Sequence, residues 1–153
     1  MIVVSDTSPI TALLTVGEER ILAELFGKVI IPDAVHQELL KSHAFVPSWI
    51  EVQQVSNTAE VIRLSLLIDL GEAQAIELAK ELDAELLLID ERKGRRLAEQ
   101  EGVPIIGLLG VVLLAKRKNI IPSARNLLRG LDVSAGVYLA KELVEKALKA
   151  VDE

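Results

Sequence analysis

The sequence predicts an α/β fold built around a short, mostly parallel central sheet. Apolar runs too short for helices recur at Ile2 to Ser5, Val29 to Ile31 and Leu86 to Ile89, and segments with helical hydrophobic period separate them. That alternation is the signature of βαβ units, whose crossover helices bury both faces of the strands. With 153 residues and 50% hydrophobic composition, the chain also carries enough apolar material to bury one domain's core.

Ile2 to Ser5 is rich in β-branched residues and lacks helical period, so it reads as a buried strand. Ser8 is placed to cap the next helix and Pro9 to open it, because proline at the first helical position loses no hydrogen bond. Gly17 breaks that helix, and a second, Glu18 to Phe26, ends at Gly27. Val29 to Ile31 is the next strand. Pro32 then opens a helix to about Ser42, with Val35 and Leu39 on one face. Beyond a loop containing Pro47, Trp49 to Val52 reads as a short edge strand, and Asn57 caps a helix running toward Leu67.

Gly71 to Leu82 has strong helical period, Leu86 to Ile89 is a third buried strand, and Glu91 to Glu101 is the helix after it. Gly102 to Ile106 gives a turn and a short strand, followed by a helix from Gly107 to Lys118. Pro122 to Arg129 and Ser134 to about Val151 close the chain as helices. No linker, repeat or low-complexity tract interrupts the sequence, so the expectation is a single domain over residues 1–153.

Composition excludes several functions. A net charge of −6 argues against a protein that grips duplex DNA by general phosphate attraction. The basic residues are nevertheless clustered: Arg92, Lys93, Arg95 and Arg96 form one group, and Lys116, Arg117 and Lys118 another that Arg125 and Arg129 extend. Each group is either a solvated helix face or a local phosphate-binding surface. Aromatics are only 3%, and Trp49 and Tyr138 are the only ones of their kind, which disfavours a base-stacking platform.

Cysteine is absent, so neither disulfides nor zinc–thiolate sites are available. His36 and His43 lie two helical turns apart with no third histidine, which disfavours a histidine-based metal site. Ser8 has no histidine or lysine spaced to activate it, and no strand is followed by a glycine-rich phosphate loop. Met1 leads directly into Ile2-Val3-Val4 without a basic segment or a signal-type apolar run, and no stretch is long enough to span a bilayer. A cytoplasmic location, away from membranes, is the expectation.

Four acids stand where strand passes to helix or on a helix that must face the sheet: Asp6, Glu38, Glu72 and Asp90. In an open parallel sheet, ligands bind outside the carboxyl ends of the strands, and Asp6 and Asp90 follow the first and third strands there. Asp6 lies upstream of the expected cap, whereas Asp90 either serves a site or caps the helix at Glu91. Glu72 shares a face with Ala75, Ile76, Ala79 and Leu82, where an ionised carboxylate is costly unless paired or metal-bound. A capping pair with Asp69 is the competing account. Glu38 borders the apolar face of its helix, and a solvated edge position explains it equally well.

Four stretches in order carry a resemblance to a known family. They are Ser5-Asp6-Thr7-Ser8-Pro9, the run Ile31 to Leu39 (IPDAVHQEL), the run Leu70 to Ala79 (LGEAQAIELA), and Leu88-Ile89-Asp90-Glu91-Arg92; Gly107 to Ala115 adds a fifth. Together they resemble the PIN-domain family, and within it the prokaryotic branch of VapC-type ribonuclease toxins of toxin–antitoxin pairs. The resemblance implies a three-layer α/β/α fold and metal-dependent RNA cleavage. It carries the family's acids to Asp6, Glu38, Glu72 and Asp90, with Ser8 as the hydroxyl near the first acid. Many members have Asp where Glu72 stands, and many carry a further polar or acidic residue after the fourth acid, where this chain offers Glu91 or Lys93.

The expected chemistry follows. The four carboxylates suit Mg²⁺ or Mn²⁺, hard cations that take oxygen ligands and activate water for attack on a phosphodiester. Arg92, Arg95 or Arg96 would hold flanking phosphates. The resemblance further implies a small antitoxin partner and a homodimer. Two other classes compete: a PIN fold that binds RNA or a partner without useful turnover, and an acid-pocket phosphotransfer or phosphatase domain. The last is disfavoured, because aspartate phosphatases need a second Asp two residues beyond the first and Ser8 stands there.

Overall fold

The computed structural model describes residues 1–153. Five short strands, β1 (Val3–Ser5), β2 (Val29–Ile31), β3 (Ile50–Val52), β4 (Leu86–Leu88) and β5 (Ile105–Ile106), form one sheet in the order β3-β2-β1-β4-β5. Every pair is parallel. The nine helices are α1 (Thr7–Thr15), α2 (Arg20–Phe26), α3 (Asp33–Ser42), α4 (Thr58–Ser65), α5 (Leu70–Glu81), α6 (Arg92–Gln100), α7 (Leu108–Arg117), α8 (Ala124–Ala135) and α9 (Lys141–Ala150). The α/β expectation is borne out, including the central parallel sheet. No helix is long and apolar enough to cross a membrane.

The period-two alternation of strand side chains divides the core into two layers. Val3, Val29, Ile31 and Leu88 face one cluster, packed with Ile10, Leu13, Val112 and Leu131 from α1, α7 and α8. Val4, Ile30, Leu87 and Ile89 face the other, packed with Val61, Leu64, Ile76 and Ala98 from α4, α5 and α6. Because both faces of each strand are covered, β1, β2 and β4 are apolar almost throughout rather than alternating.

Strand order reverses direction between β1 and β4, where the chain moves outward one way to β2 and the other way to β5. A crevice opens at such a switch point because the following helices diverge to opposite sides. The Asp6 N–H donates to Leu88 O at 2.9 Å, so strand pairing persists one residue past β1. Helix α1 starts immediately afterward at Thr7, with Asp6 at the cap position. The expected start at Ser8 and Pro9 is therefore too late. Pro9 sits inside the first turn, where its missing N–H also costs nothing.

The carboxyl-terminal helices depart furthest from expectation. Helix α8 begins after Ser123, whose hydroxyl accepts from Asn126 N, and runs through Gly130 and Ser134 to Ala135. It ends at Gly136, whose left-handed conformation (φ 65°) suits glycine. Helix α9 starts only at Lys141, not at Ser134. Leu131, fully buried against the first core cluster, holds the chain helical through the residues expected to form the break.

Candidate active site

The sheet's carboxyl edge collects acids from four separate elements. Asp6 follows β1, Asp90 lies two residues past β4, Glu38 comes from α3, and Glu72 from the first turn of α5. Asp6 and Glu72 are almost fully buried, at 4% and 5% exposure. Glu38 and Asp90 are half-buried.

Close packing between α3 and α5 places Glu38. Its Oε1 lies where a Cβ at Gly71 would approach to 2.6 Å, so only glycine leaves room for the carboxylate over the first turn of α5. The two helices are also tied together by Gln74, whose Oε1 accepts from Ala34 N at 2.9 Å and satisfies a free amide at the start of α3. Glu38 Oε2 accepts from the Thr7 hydroxyl. Thr7 is the hydroxyl bonded to Glu38, while Ser8, expected near Asp6, is exposed on α1. Helix α1 starts two residues earlier than expected, which puts Thr7 at its first position.

Glu72 tests the capping account directly. Asp69 Oδ1 accepts from Glu72 N at 2.8 Å, so Asp69 does cap α5. Glu72 Oε2, however, is buried without a hydrogen-bond partner. It fills the space that a side chain at Gly94, in the first turn of α6, would require. Capping explains the backbone here and leaves that carboxylate oxygen unexplained.

Asp90 is anchored differently. Its Oδ1 accepts from Leu108 N at 2.8 Å, so it caps α7 across the sheet and not the adjacent α6. Glu91 caps α6, accepting from Lys93 N at 3.3 Å, and is exposed to solvent. Arg95 donates from Nη1 to Ile89 O at 3.1 Å, and its guanidinium occupies the space a side chain at Gly107 would need. Arg95 therefore holds the backbone just before Asp90, and its charge acts on that carboxyl from nearby. Arg92 and Arg96 are exposed and point no fixed contact into the protein.

Electrostatics link these groups. The Asp6 carboxyl is pushed up to about 7, mainly by burial, with the nearby charges of Asp69, Glu38 and Asp90 adding to the rise against the lowering pull of the Thr7 N–H. Burial also raises Glu72, to about 8, with Asp69 and then Asp6 adding to it. Burial raises Asp90, opposed by the Leu108 N–H and by Arg95. Asp69 is the group sequence reasoning treated only as a cap. Its spacing three residues before Glu72 was the available signal, since a cap on that turn necessarily shares the crevice.

The donor set, all carboxylate oxygen with one buried oxygen lacking a partner, fits a hard divalent cation in chemistry. As the side chains stand, no three acids or histidines are arranged to hold a single ion. Raised pKa values in a group of like charges are the electrostatic counterpart: neutral carboxyls can crowd where ionised ones cannot.

The comparison with protein families agrees with this geometry. A family model described as PIN domain matches residues 2–153. Among curated proteins, no sequence matches the chain. PIN domains are generally nucleases, and PIN-domain nucleases typically use divalent metals. With the match extending over nearly the full length, and a parallel α/β sheet gathering acids at its carboxyl edge, the chain belongs to the PIN-domain family.

Proposed function

We propose that the chain is an Mg²⁺- or Mn²⁺-dependent endoribonuclease, the toxin component of a toxin–antitoxin pair, acting in the cytoplasm as a homodimer. The observation that supports the chemistry most directly is the buried Glu72 Oε2 without a partner, beside Asp6 and with no cation of the protein to neutralise either. Buried carboxylates in that condition cost several kcal/mol when ionised and are retained where a site needs them.

Asp6, Glu38, Glu72 and Asp90 would hold the ion, and Asp69 contributes negative charge beside them. When bound, the cation supplies a water of lowered pKa and stabilises charge developing on the leaving oxygen. The protein's own tasks are separable from that. Asp6 and Glu72 must lose their protons, which their burial resists at neutral pH. Asp90 is held in place by Leu108 N, and Glu38 by Thr7, so two of the four donors are pre-oriented. Arg92 and Arg96, exposed at the start of α6, bind the phosphates flanking the scissile bond.

RNA cleavage assayed with Mg²⁺ or Mn²⁺, and again in chelator, tests the reading. Activity is expected only with metal and is expected to vanish in Asp6→Asn. A folded Asp6→Asn protein that cuts RNA at the wild-type rate overturns it. The toxin role is tested by expression in a bacterial host: growth arrest with the native chain, none with Asp6→Asn, and rescue by a small protein encoded alongside.

A second reading is a PIN fold that binds RNA or a protein partner with little turnover. It is favoured by the absence of three acids disposed around one point. Turnover across a broad RNA panel separates the two, because a non-catalytic fold can still bind metal.

A further inference from the structure

A cleft of about 940 Å³ begins at Asp90 and runs away from the acids between α6, the edge strand β5 and α7, closed at its far end by the segment leading into α9. Its size is at the upper end of that of ligand pockets, ~300–1,000 Å³. Arg92, Arg95 and Arg96 line one wall. Leu109, Leu113 and Leu143 give it an apolar floor, and Tyr138 stands on its rim, 86% exposed. Glu99 and, at the mouth, Asp90 are its acids, so in a chain of net charge −6 the three arginines still leave it a locally basic surface beside the acidic centre.

We propose that this cleft is a single-strand subsite for the RNA segment flanking the scissile phosphate, with one base stacked on Tyr138 and the adjoining phosphates on Arg92 and Arg96. The proposal rests on the ribonuclease reading and adds to it a residue that selects an unpaired nucleotide. Positions 92, 95 and 96 fall on one face of α6 and spread over ~6 Å of its axis. That places positive charge along a line rather than at a point, which suits a backbone better than a lone anion. An exposed tyrosine over an aliphatic floor offers what a base needs on its two faces, a π-surface and an apolar one.

Duplex RNA keeps its bases stacked inside the helix and cannot present one to Tyr138. The cleft therefore favours loops and single strands over paired segments. The low aromatic content still excludes an extended stacking platform, and a single tyrosine supplies one stacking position. A peptide is the competing occupant, since an edge strand and a leucine floor can also receive an extended chain. Arg92 and Arg96, which form no ion pair, outnumber the one acid on their helix face, Glu99, and favour RNA.

The test uses the full chain carrying Asp6→Asn, so that RNA stays intact, with oligoribonucleotides holding a single fluorescent 2-aminopurine at successive positions. Quenching is expected at one position only. Tyr138→Ala should abolish that quenching and weaken binding on the order of 5–100-fold, the effect of one base–aromatic stack, while Tyr138→Phe keeps both. Arg92→Ala with Arg96→Ala should lower the salt dependence of binding by about 0.7 in log–log slope per phosphate lost.

Native quenching and affinity in Tyr138→Ala overturn the proposal. An unchanged salt slope in the double arginine variant does so as well, as does an acidic peptide that binds this cleft where RNA does not. These readouts are equilibrium binding. The ribonuclease reading stands or falls separately, on whether the Asp6→Asn protein cleaves.

Discussion

Glu72 and Gly94 occupy complementary space: Oε2 of the first fills the position where a side chain of the second would begin. The buried carboxylate of α5 is thus held against the first turn of α6 by the absence of a Cβ. Gly94→Ala should displace Glu72 or Ile89, whose Cδ1 would lie 2.7 Å from the new atom. The expected cost is about 1–3 kcal/mol, as for other overpacked cores, together with loss of nuclease activity. Gly130→Ala is the contrast, since nothing lies within 4 Å of that position in α8. It should stabilise by ~0.5–1 kcal/mol. Urea unfolding of both variants checks the pair, and equal effects would contradict the packing argument.

Stability without metal should fall as pH rises. Asp6 and Glu72 have folded values raised to about 7 and about 8, above their ordinary values of 3.8 and 4.5. Acids raised on folding favour the folded state below their unfolded values, and that contribution is lost as pH climbs through the folded ones. Melting temperature in chelator should therefore decline from about pH 4 to 8. Asp6→Asn should flatten the part of the decline below pH 7. A melting temperature constant over that window in the native chain would show that burial does not hold these carboxyls neutral.

Divalent metal should reverse this trend. Because binding needs the ionised carboxylates, Mn²⁺ should raise the melting temperature more at pH 8 than at pH 5. Chelator should remove the gain, and Asp6→Asn and Glu72→Gln should each reduce it sharply. Calorimetry in parallel would report proton release on binding at pH 7, and its absence would place the metal elsewhere.

Thr7 should matter for placing Glu38. Thr7→Val removes the hydroxyl that donates to Oε2 while keeping the side chain's shape. A half-buried hydrogen bond to a carboxylate is worth about 1–2 kcal/mol. A double-mutant cycle with Glu38→Gln should show coupling of that size, and Ser8→Ala, by comparison, should change little. Additive effects of Thr7→Val and Glu38→Gln would mean the contact is not energetically formed.

Away from the acids, Lys80 joins three helices. Its Nζ lies 3.1 Å from Glu60, 3.4 Å from Glu77 and 2.9 Å from Glu101, carboxylates of α4, α5 and the residue ending α6. Lys80→Met leaves the nearly buried Glu77 without its cation, and should cost ~2–3 kcal/mol. Activity per folded molecule should be unchanged, and adding Glu77→Gln should restore most of the stability. A loss that the second substitution fails to restore would assign Lys80 a packing role instead.

Much of this was legible in the sequence because local chemistry wrote it twice. The buried strands Val3–Ser5, Val29–Ile31 and Leu86–Leu88 are marked both by apolar β-branched or leucine runs and by the punctuation around them. Asp6 and Asp90 were identifiable because a residue after a parallel strand points to the ligand-binding edge whatever the helices do. The break between α8 and α9 was not legible. Gly130 and Gly136 look alike locally, and only the burial of Leu131 decides which one ends the helix.

The sequence by itself determined the parallel α/β architecture and placed Asp6 and Asp90 at the sheet's carboxyl edge, because strand and helix periods and strand-end positions are local properties; Glu38 and Glu72 joined them through the family resemblance. The tertiary structure decided which atoms meet. It set the Thr7 hydroxyl on Glu38, turned Asp90 toward the amide of Leu108, drew Asp69 into the acidic field, and left Glu72 Oε2 without a partner. The placing of Glu38 and Glu72 depends on the close approach of α5 to α3 at Gly71 and to α6 at Gly94. The missing Cβ at each allows that approach, and the sequence shows two glycines without showing which side chains will fill the space beside them.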